Sequence, residues 1–225
     1  MDAPFENLDT PYTQLNPRRC ALLVIDVQND WGDPQGASPM PGLDEVMPQV
    51  IEAIEIFRSA ALPIVHVVRL YREDGSNVDL CRRWQVEQGN LRVGIPHTWG
   101  SQLVASTNPS GAELDADALL AGEIQELASL EFVMFKPRFS AFHSTPLEDF
   151  LAAGGIDSVV IVGLTFPNCI LAAQLSATDR DYRVGLVPGA CTQVNDDGLQ
   201  GMQNKGVQLM TLDELRGLLL RDRDS

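Results

Sequence analysis

The sequence predicts a single doubly wound, Rossmann-like α/β domain, with a mainly parallel sheet of about six strands and helices on both faces. Three observations carry that expectation. Continuous apolar runs such as Ala21-Leu-Leu-Val-Ile25 and Val159-Val-Ile-Val162 are too short for helices and do not alternate, so they read as strands buried on both faces. Between them lie stretches whose apolar residues recur at helical spacing. Finally, 44% hydrophobic and 21% charged residues over 225 positions match an ordinary folded chain, far from the profile of disorder.

In chain order, residues 1–18 with Pro4, Pro11 and Pro17 read as an arm packing on the body or on a neighbouring subunit, and residues 19–225 as the domain. Cys20 to Asp26 is the first strand and stops on an acid. From Asp44 to Ala61, Val46, Met47, Val50, Ile51, Ile54 and Phe57 fall on one face of a helix. Pro63 to Arg69 is the second strand, entered through a proline where no ladder donor is lost. Between Leu70 and Leu130 the pattern weakens: a turn at Tyr71 to Gly75, a short helix from Asp79 to Gln88, and a loop from Gly94 to Pro109. Strand periodicity resumes at Glu131 to Lys136, followed by a helix from Thr145 to Ala153 with Thr145 as cap and Pro146 in its first turn. A strand at Asp157 to Gly163 leads into a helix from about Asn168 to Arg180, then a strand at Tyr182 to Val187. Val207 to Met210 and a helix from Leu212 to Leu220 close the chain. Strands alternating with helices call for right-handed crossovers and hence a parallel sheet.

Lys+Arg 16 against Asp+Glu 31 gives a net charge of −15. That charge opposes binding to nucleic acid and to anionic membrane surfaces, so neither is expected as a partner. No apolar run is long enough to span a bilayer, and residues 1–16 lack the pattern of a signal peptide, so a cytoplasmic protein is expected. Cys20, Cys81, Cys169 and Cys191 are scattered without ligand spacing. Neither disulfides nor a metal site are expected, and no cofactor.

Open parallel sheets bind ligands beyond the carboxyl ends of their strands. Asp26 terminates the first strand, Lys136 the third in sequence, and Cys169 begins the helix after the fourth. Each has an ordinary structural role available: a turn-capping Asp, a snorkelling Lys, a small buried thiol. Lys136 is nevertheless unusual, because only it and Lys205 are lysines among 16 basic residues. Together the three make a chemical set. A helix N-terminus and a lysine ammonium favour a thiolate, and a carboxylate can take the thiol proton and return it to a leaving amine. The turn Gly163 to Cys169 offers backbone N–H groups to a developing oxyanion.

The segments Val24-Ile-Asp26-Val-Gln28-Asn-Asp30-Trp31, Phe135-Lys136-Pro-Arg-Phe-Ser-Ala-Phe142 and Val162-Gly163-Leu-Thr-Phe-Pro-Asn-Cys169-Ile170, with Ala177-Thr-Asp179-Arg-Asp-Tyr-Arg-Val184, resemble the isochorismatase-like cysteine hydrolase superfamily from about Arg19 to Val194. The resemblance implies an Asp26-Lys136-Cys169 triad, a cis peptide before Thr165, and an oxyanion hole made by the N–H groups of Thr165 and Cys169. It further implies hydrolysis of a C–N bond in a small amide, ureide or imide through a thioester, in a homo-oligomer, dimer or tetramer. The metal-binding nicotinamidases of that superfamily carry histidines after the second strand. Here Arg69-Leu-Tyr-Arg-Glu-Asp-Gly-Ser-Asn77 has none.

Candidate substrate-binding residues are Gln28, Trp31, Arg72, Trp99 and Phe166, the aromatic ones as walls for a planar substrate. Arg69, Arg72, Arg82, Arg83 and Arg92 concentrate basic charge in one region, where a substrate carboxylate would explain one and ion pairs with surface acids would explain all. His66 reads as a core histidine; His97 and His143 read as structural or surface residues. Two alternatives to the amidohydrolase remain at this level: an ether hydrolase using Asp26 as acid with Cys169 incidental, and a catalytically silent binding subunit.

Overall fold

The computed structural model describes residues 7–220. Its centre is a seven-stranded sheet: β1 (Cys20–Ile25), β2 (Ile64–Val68), β3 (Gln125–Ala128), β4 (Glu131–Phe135), β5 (Ser158–Gly163), β6 (Arg183–Cys191) and β7 (Gln208–Leu209), in the spatial order β3-β4-β2-β1-β5-β6-β7. All neighbours are parallel except β3 and β4. β1 lies in the middle, and all six of its residues are buried, as a strand covered on both faces requires.

The two faces divide its side chains. Leu22 and Val24 join Val50, Ile54 and Phe57 of α2 (Leu43–Ser59) and Leu215 and Leu219 of α8 (Leu212–Leu220) in one core. Ala21, Leu23 and Ile25 point to the opposite core, with Leu147 and Leu151 of α5 (Leu147–Ala153), Ala173 and Ala177 of α6 (Leu171–Thr178), and Met202 of α7 (Asp196–Gln203). A smaller cluster under α4 (Ala116–Leu120) covers Val68 and Val133 near the antiparallel edge. The remaining helices are the single turn α1 (Asn29–Gly32) and α3 (Leu80–Glu87).

The doubly wound domain is as the sequence predicts, with one strand more. β3 escapes notice because only Leu127 of its four residues is buried, so an edge strand shows no apolar run. The α4 and α7 helices are short, and each carries an N-cap: Asp115 accepts from the Ala118 N–H (3.1 Å) and Asn195 from the Gly198 N–H (2.8 Å). The turn at Gly75 and the helix near 79–88 fall where expected. His66 is fully buried, 2.8 Å from Glu131, which Arg58 also grips. His97 and His143 are exposed.

Residues 1–6 of the expected arm lie outside the described residues. Its remainder packs on its own domain: Asn7 exchanges two hydrogen bonds with Leu209 (2.8 and 2.9 Å), and Leu15 is buried against β6 and α8 core residues. Leu8 and Tyr12 of this stretch remain exposed.

Gln28 corrects an expectation. It is fully buried, its Nε2 donates to the Arg69 and Ser101 carbonyls (2.9 and 2.7 Å), and its Oε1 accepts from the Arg69 N–H (2.7 Å). Both amide hydrogens are used on backbone, so Gln28 ties the end of β1 to the end of β2 and to the 98–101 loop and has no donor left for a substrate. Gln28→Ala leaves three buried backbone groups without partners. It is expected to lower unfolding free energy by about 3 kcal/mol in a denaturant titration, and a loss below about 1 kcal/mol would contradict this role.

Candidate active site

Four neighbouring strands end at one crevice. In the order β4, β2, β1, β5, the residues that follow them are Lys136, Arg69, Asp26 and, across a short turn, Cys169. Register sets their depth: the Lys136 N–H bonds the Val68 carbonyl (2.9 Å) and the Asp26 N–H bonds the Val67 carbonyl (2.9 Å), so both side chains begin level with the end of β2. Asp26 has φ of 55°, a left-handed conformation that a short polar side chain tolerates, and it breaks the extended backbone at the strand end. Gly163, at φ of 121°, closes β5 where an added Cβ would strike the Ile25 backbone. Only glycine therefore lets the β5 exit lie against the β1 exit. The Leu164–Thr165 peptide is cis.

Cys169 lies in a five-residue π turn, Phe166–Ile170, that runs into α6, so the helical segment starts two residues earlier than the sequence suggests. A π turn is found often at functional sites. It brings the thiol to the lysine: Lys136 Nζ is 2.9 Å from Asp26 Oδ2 and 3.3 Å from Cys169 Sγ, with the Arg138 carbonyl at 3.5 Å. The ammonium has three hydrogens and three partners, and the side chain is wholly buried. Asp26 Oδ1 is buried with no partner among the described residues. Arg69 completes the cluster. Its Nη2 lies 3.7 Å from Cys169 Sγ, and its Nη1 pairs with Asp79 at 2.7 Å.

The protonation state departs from expectation. Burial pushes the Cys169 thiol above its ordinary value, and the Asp26 carboxylate pushes it further, while Lys136 and Arg69 pull it down without reversing the shift. The balance favours the protonated thiol over a thiolate prepared by the helix end. Cys20 and Cys191 are fully buried, with burial pushing Cys191 up to about 12. Cys81 is exposed on α3.

A cavity of about 160 Å³ opens onto this cluster, lined by Asp26, Thr165 and Cys169 and walled by Trp31, Met40, Arg69, Tyr71, Arg82, Leu164, Asn168 and Gln193. The N–H of Thr165, which lines the cavity, has no acceptor among the described residues. Of the expected binding residues, Trp31 is in place. Phe166 is not: it is 1% exposed and packs in the core against Gly198. Arg72 lines a separate, shallow depression of about 770 Å³ with Glu73, His97 and Asp117, and Trp99 is exposed away from the cavity. Arg69 had a readable signal, since it ends β2 as Asp26 ends β1. Arg82 stood out only as one of five clustered arginines, and α3 carries it to the cavity, while Asn168 and Gln193 had no signal of their own. Among the described residues, no group of three or more His, Cys, Asp or Glu could hold a metal ion.

The model of the isochorismatase domain matches residues 20–214. A protein of Arabidopsis thaliana named as a probable inactive nicotinamidase is 31% identical over 202 residues, spanning 88% of this chain and 94% of its own. The N-carbamoylsarcosine amidase of an Arthrobacter species is 27% identical over 167 residues, 73% of this chain and 56% of its own. A crystal structure of an isochorismatase family protein from Desulfovibrio vulgaris superposes with a TM-score of 0.75 at 28% identity, covering 91% of this chain and all of the other. With the sheet order, the site at the strand ends and a match over most of its length in agreement, this chain belongs to the isochorismatase family of hydrolases.

Proposed function

We propose that the protein is a cofactor-independent, cysteine-dependent amidohydrolase that cleaves a C–N bond of a small amide, ureide or imide through a thioester on Cys169. One observation carries this reading: a fully buried lysine ammonium joins a carboxylate to a thiol, with the second carboxylate oxygen unpartnered at the cavity. The Arthrobacter relative, an amidase by name, supports the reaction class.

The chemistry follows from the geometry. Asp26 takes the Cys169 proton as sulfur adds to the substrate carbonyl, so the raised thiol pKa costs nothing until attack begins. The oxyanion receives the free Thr165 N–H and the Cys169 N–H. Asp26 then gives the proton to the departing nitrogen, and ammonia or an amine leaves. Water next adds to the thioester as Asp26 takes its proton, and the carboxylic acid departs as sulfur is reprotonated. Lys136, bonded to Asp26 Oδ2 and to the sulfur, keeps the Asp26 carboxyl oriented beside Cys169 throughout. A cytoplasmic setting accords with four free cysteines. Among the described residues no helix is long and apolar enough to cross a membrane.

The Arabidopsis relative's name raises the silent-subunit reading. A panel of small amides, ureides and imides, scored by ammonia release, separates the cases. Hydrolysis is expected, with an acyl adduct on the Cys169 peptide alone in acid-quenched mass spectra and with turnover lost in Cys169→Ala. Near-normal turnover by Cys169→Ala would point instead to hydrolysis with Asp26 as acid, as in an ether hydrolase.

The thiol's raised pKa gives a second expectation. In a Cys81→Ser background, which removes the exposed competitor, iodoacetamide should modify Cys169 slowly near neutral pH and faster as pH rises past the ordinary thiol range. Asp26→Asn removes a raising influence and should move that profile to lower pH, whereas Lys136→Met should move it higher. Unmoved profiles in both variants would contradict the coupling.

A further inference from the structure

The cavity holds two cations from arginine, and only one is balanced. Arg69 pairs with Asp79 at 2.7 Å and Lys136 with Asp26 at 2.9 Å. Arg82, half-buried on α3 and lining the same cavity, has no carboxylate partner among the described residues. In a chain of net charge −15 that is an uncommon position for a cavity arginine, since its acids outnumber its bases 31 to 16. Arg82 is nevertheless held in place. Its Nη1 donates to the Tyr71 hydroxyl (3.3 Å), which donates in turn to Asp79 Oδ2 (3.3 Å), and its guanidinium stacks over Phe139 at 4.8 Å, with Arg69 5.4 Å from the same ring. Burial pushes the Tyr71 phenol up to about 12, so the group between Arg82 and Asp79 is a neutral hydroxyl and adds no negative charge.

We infer that Arg82 anchors a carboxylate on the substrate, so that the enzyme acts on small amides or ureides that also carry one acid group. The inference rests on the amidohydrolase reading and adds to it the substrate's charge. One uncompensated positive charge matches a monoanion, and a planar guanidinium with free donors suits a carboxylate. The cavity, about 160 Å³ and partly open to solvent, suits a small molecule in which a few atoms separate the acid from the scissile amide. Tyr71 and Phe139 are then positioning residues for Arg82. Arg72, by contrast, faces the separate depression among Glu73, Asp74 and Asp117.

Matched pairs test this directly: malonamate, maleamate, succinamate and N-carbamoylglycine, each beside its neutral methyl ester. The wild type should favour acid over ester, and Arg82→Gln should lower the acid-to-ester ratio of kcat/KM by about 10- to 100-fold, mainly through KM, with Arg82→Lys restoring part of it. Binding of the same pairs to Cys169→Ala, measured by calorimetry, reads the preference without turnover. An acid preference in binding that disappears in Cys169→Ala/Arg82→Gln supports the inference even if no compound is hydrolysed, in which case the amidohydrolase reading alone fails. Hydrolysis or binding with no preference for the acid, or a preference that Arg82→Gln leaves intact, overturns the inference and leaves the amidohydrolase reading standing.

Discussion

A lysine ammonium with no exposure to water must be paired, because burying an unpaired charge costs several kcal/mol. Lys136 is that group, and its three partners, Asp26, Cys169 and the Arg138 carbonyl, take all its hydrogens. The rest of the molecule can be understood as what holds these atoms together. Asp26 and Cys169 lie 110 and 33 residues away along the chain, so no local structure could assemble them. Only the ends of adjacent strands do so. Loss of the carboxylate would leave the ammonium buried beside a neutral thiol, which ties the integrity of the site to the integrity of the sheet.

The sheet's order is the constraint that makes this assembly possible. Placing β1 between β2 and β5, with β4 beyond β2, aligns four strand exits side by side. Gln28 bonds the β2 exit to the β1 exit through backbone groups of Arg69, and Gly163 lets the β5 exit approach the Ile25 backbone. Those two residues fix the frame, and the π turn then carries Cys169 inward. The same frame delivers Arg69, whose charge is neutralised by Asp79 while its guanidinium helps moderate the thiol pKa that burial has raised.

Much of this was legible in the sequence, for a physical reason. Strands buried on both faces leave continuous apolar runs, and the residue ending each run is set by chain connectivity, so Asp26 and Lys136 could be placed in one crevice from pattern alone. Arg69 obeys the same rule but sits among five basic residues that ion pairing explains equally well. Gln28, Phe166, Arg72 and Trp99 show the limit. Closeness in sequence to a catalytic residue does not decide which way a side chain points: Gln28 turns onto backbone, Phe166 into the core, and Arg72 and Trp99 away from the cavity. Arg82 arrives on α3, and Asn168 and Gln193 on turns, by connections whose paths no periodicity encodes. The state of the thiol was likewise beyond sequence, since it is the balance of burial and Asp26 against two cations at particular distances.

The central claim is that Asp26, Lys136 and Cys169 act as one unit through the buried ammonium. A double-mutant cycle on turnover, comparing Asp26→Asn, Lys136→Met and the pair under single-turnover conditions, measures that most directly. Each single substitution should lower the rate by orders of magnitude, and the pair should cost little more than the worse single, because residues that act together are strongly non-additive. A combined loss equal to the product of the two single losses would contradict the account.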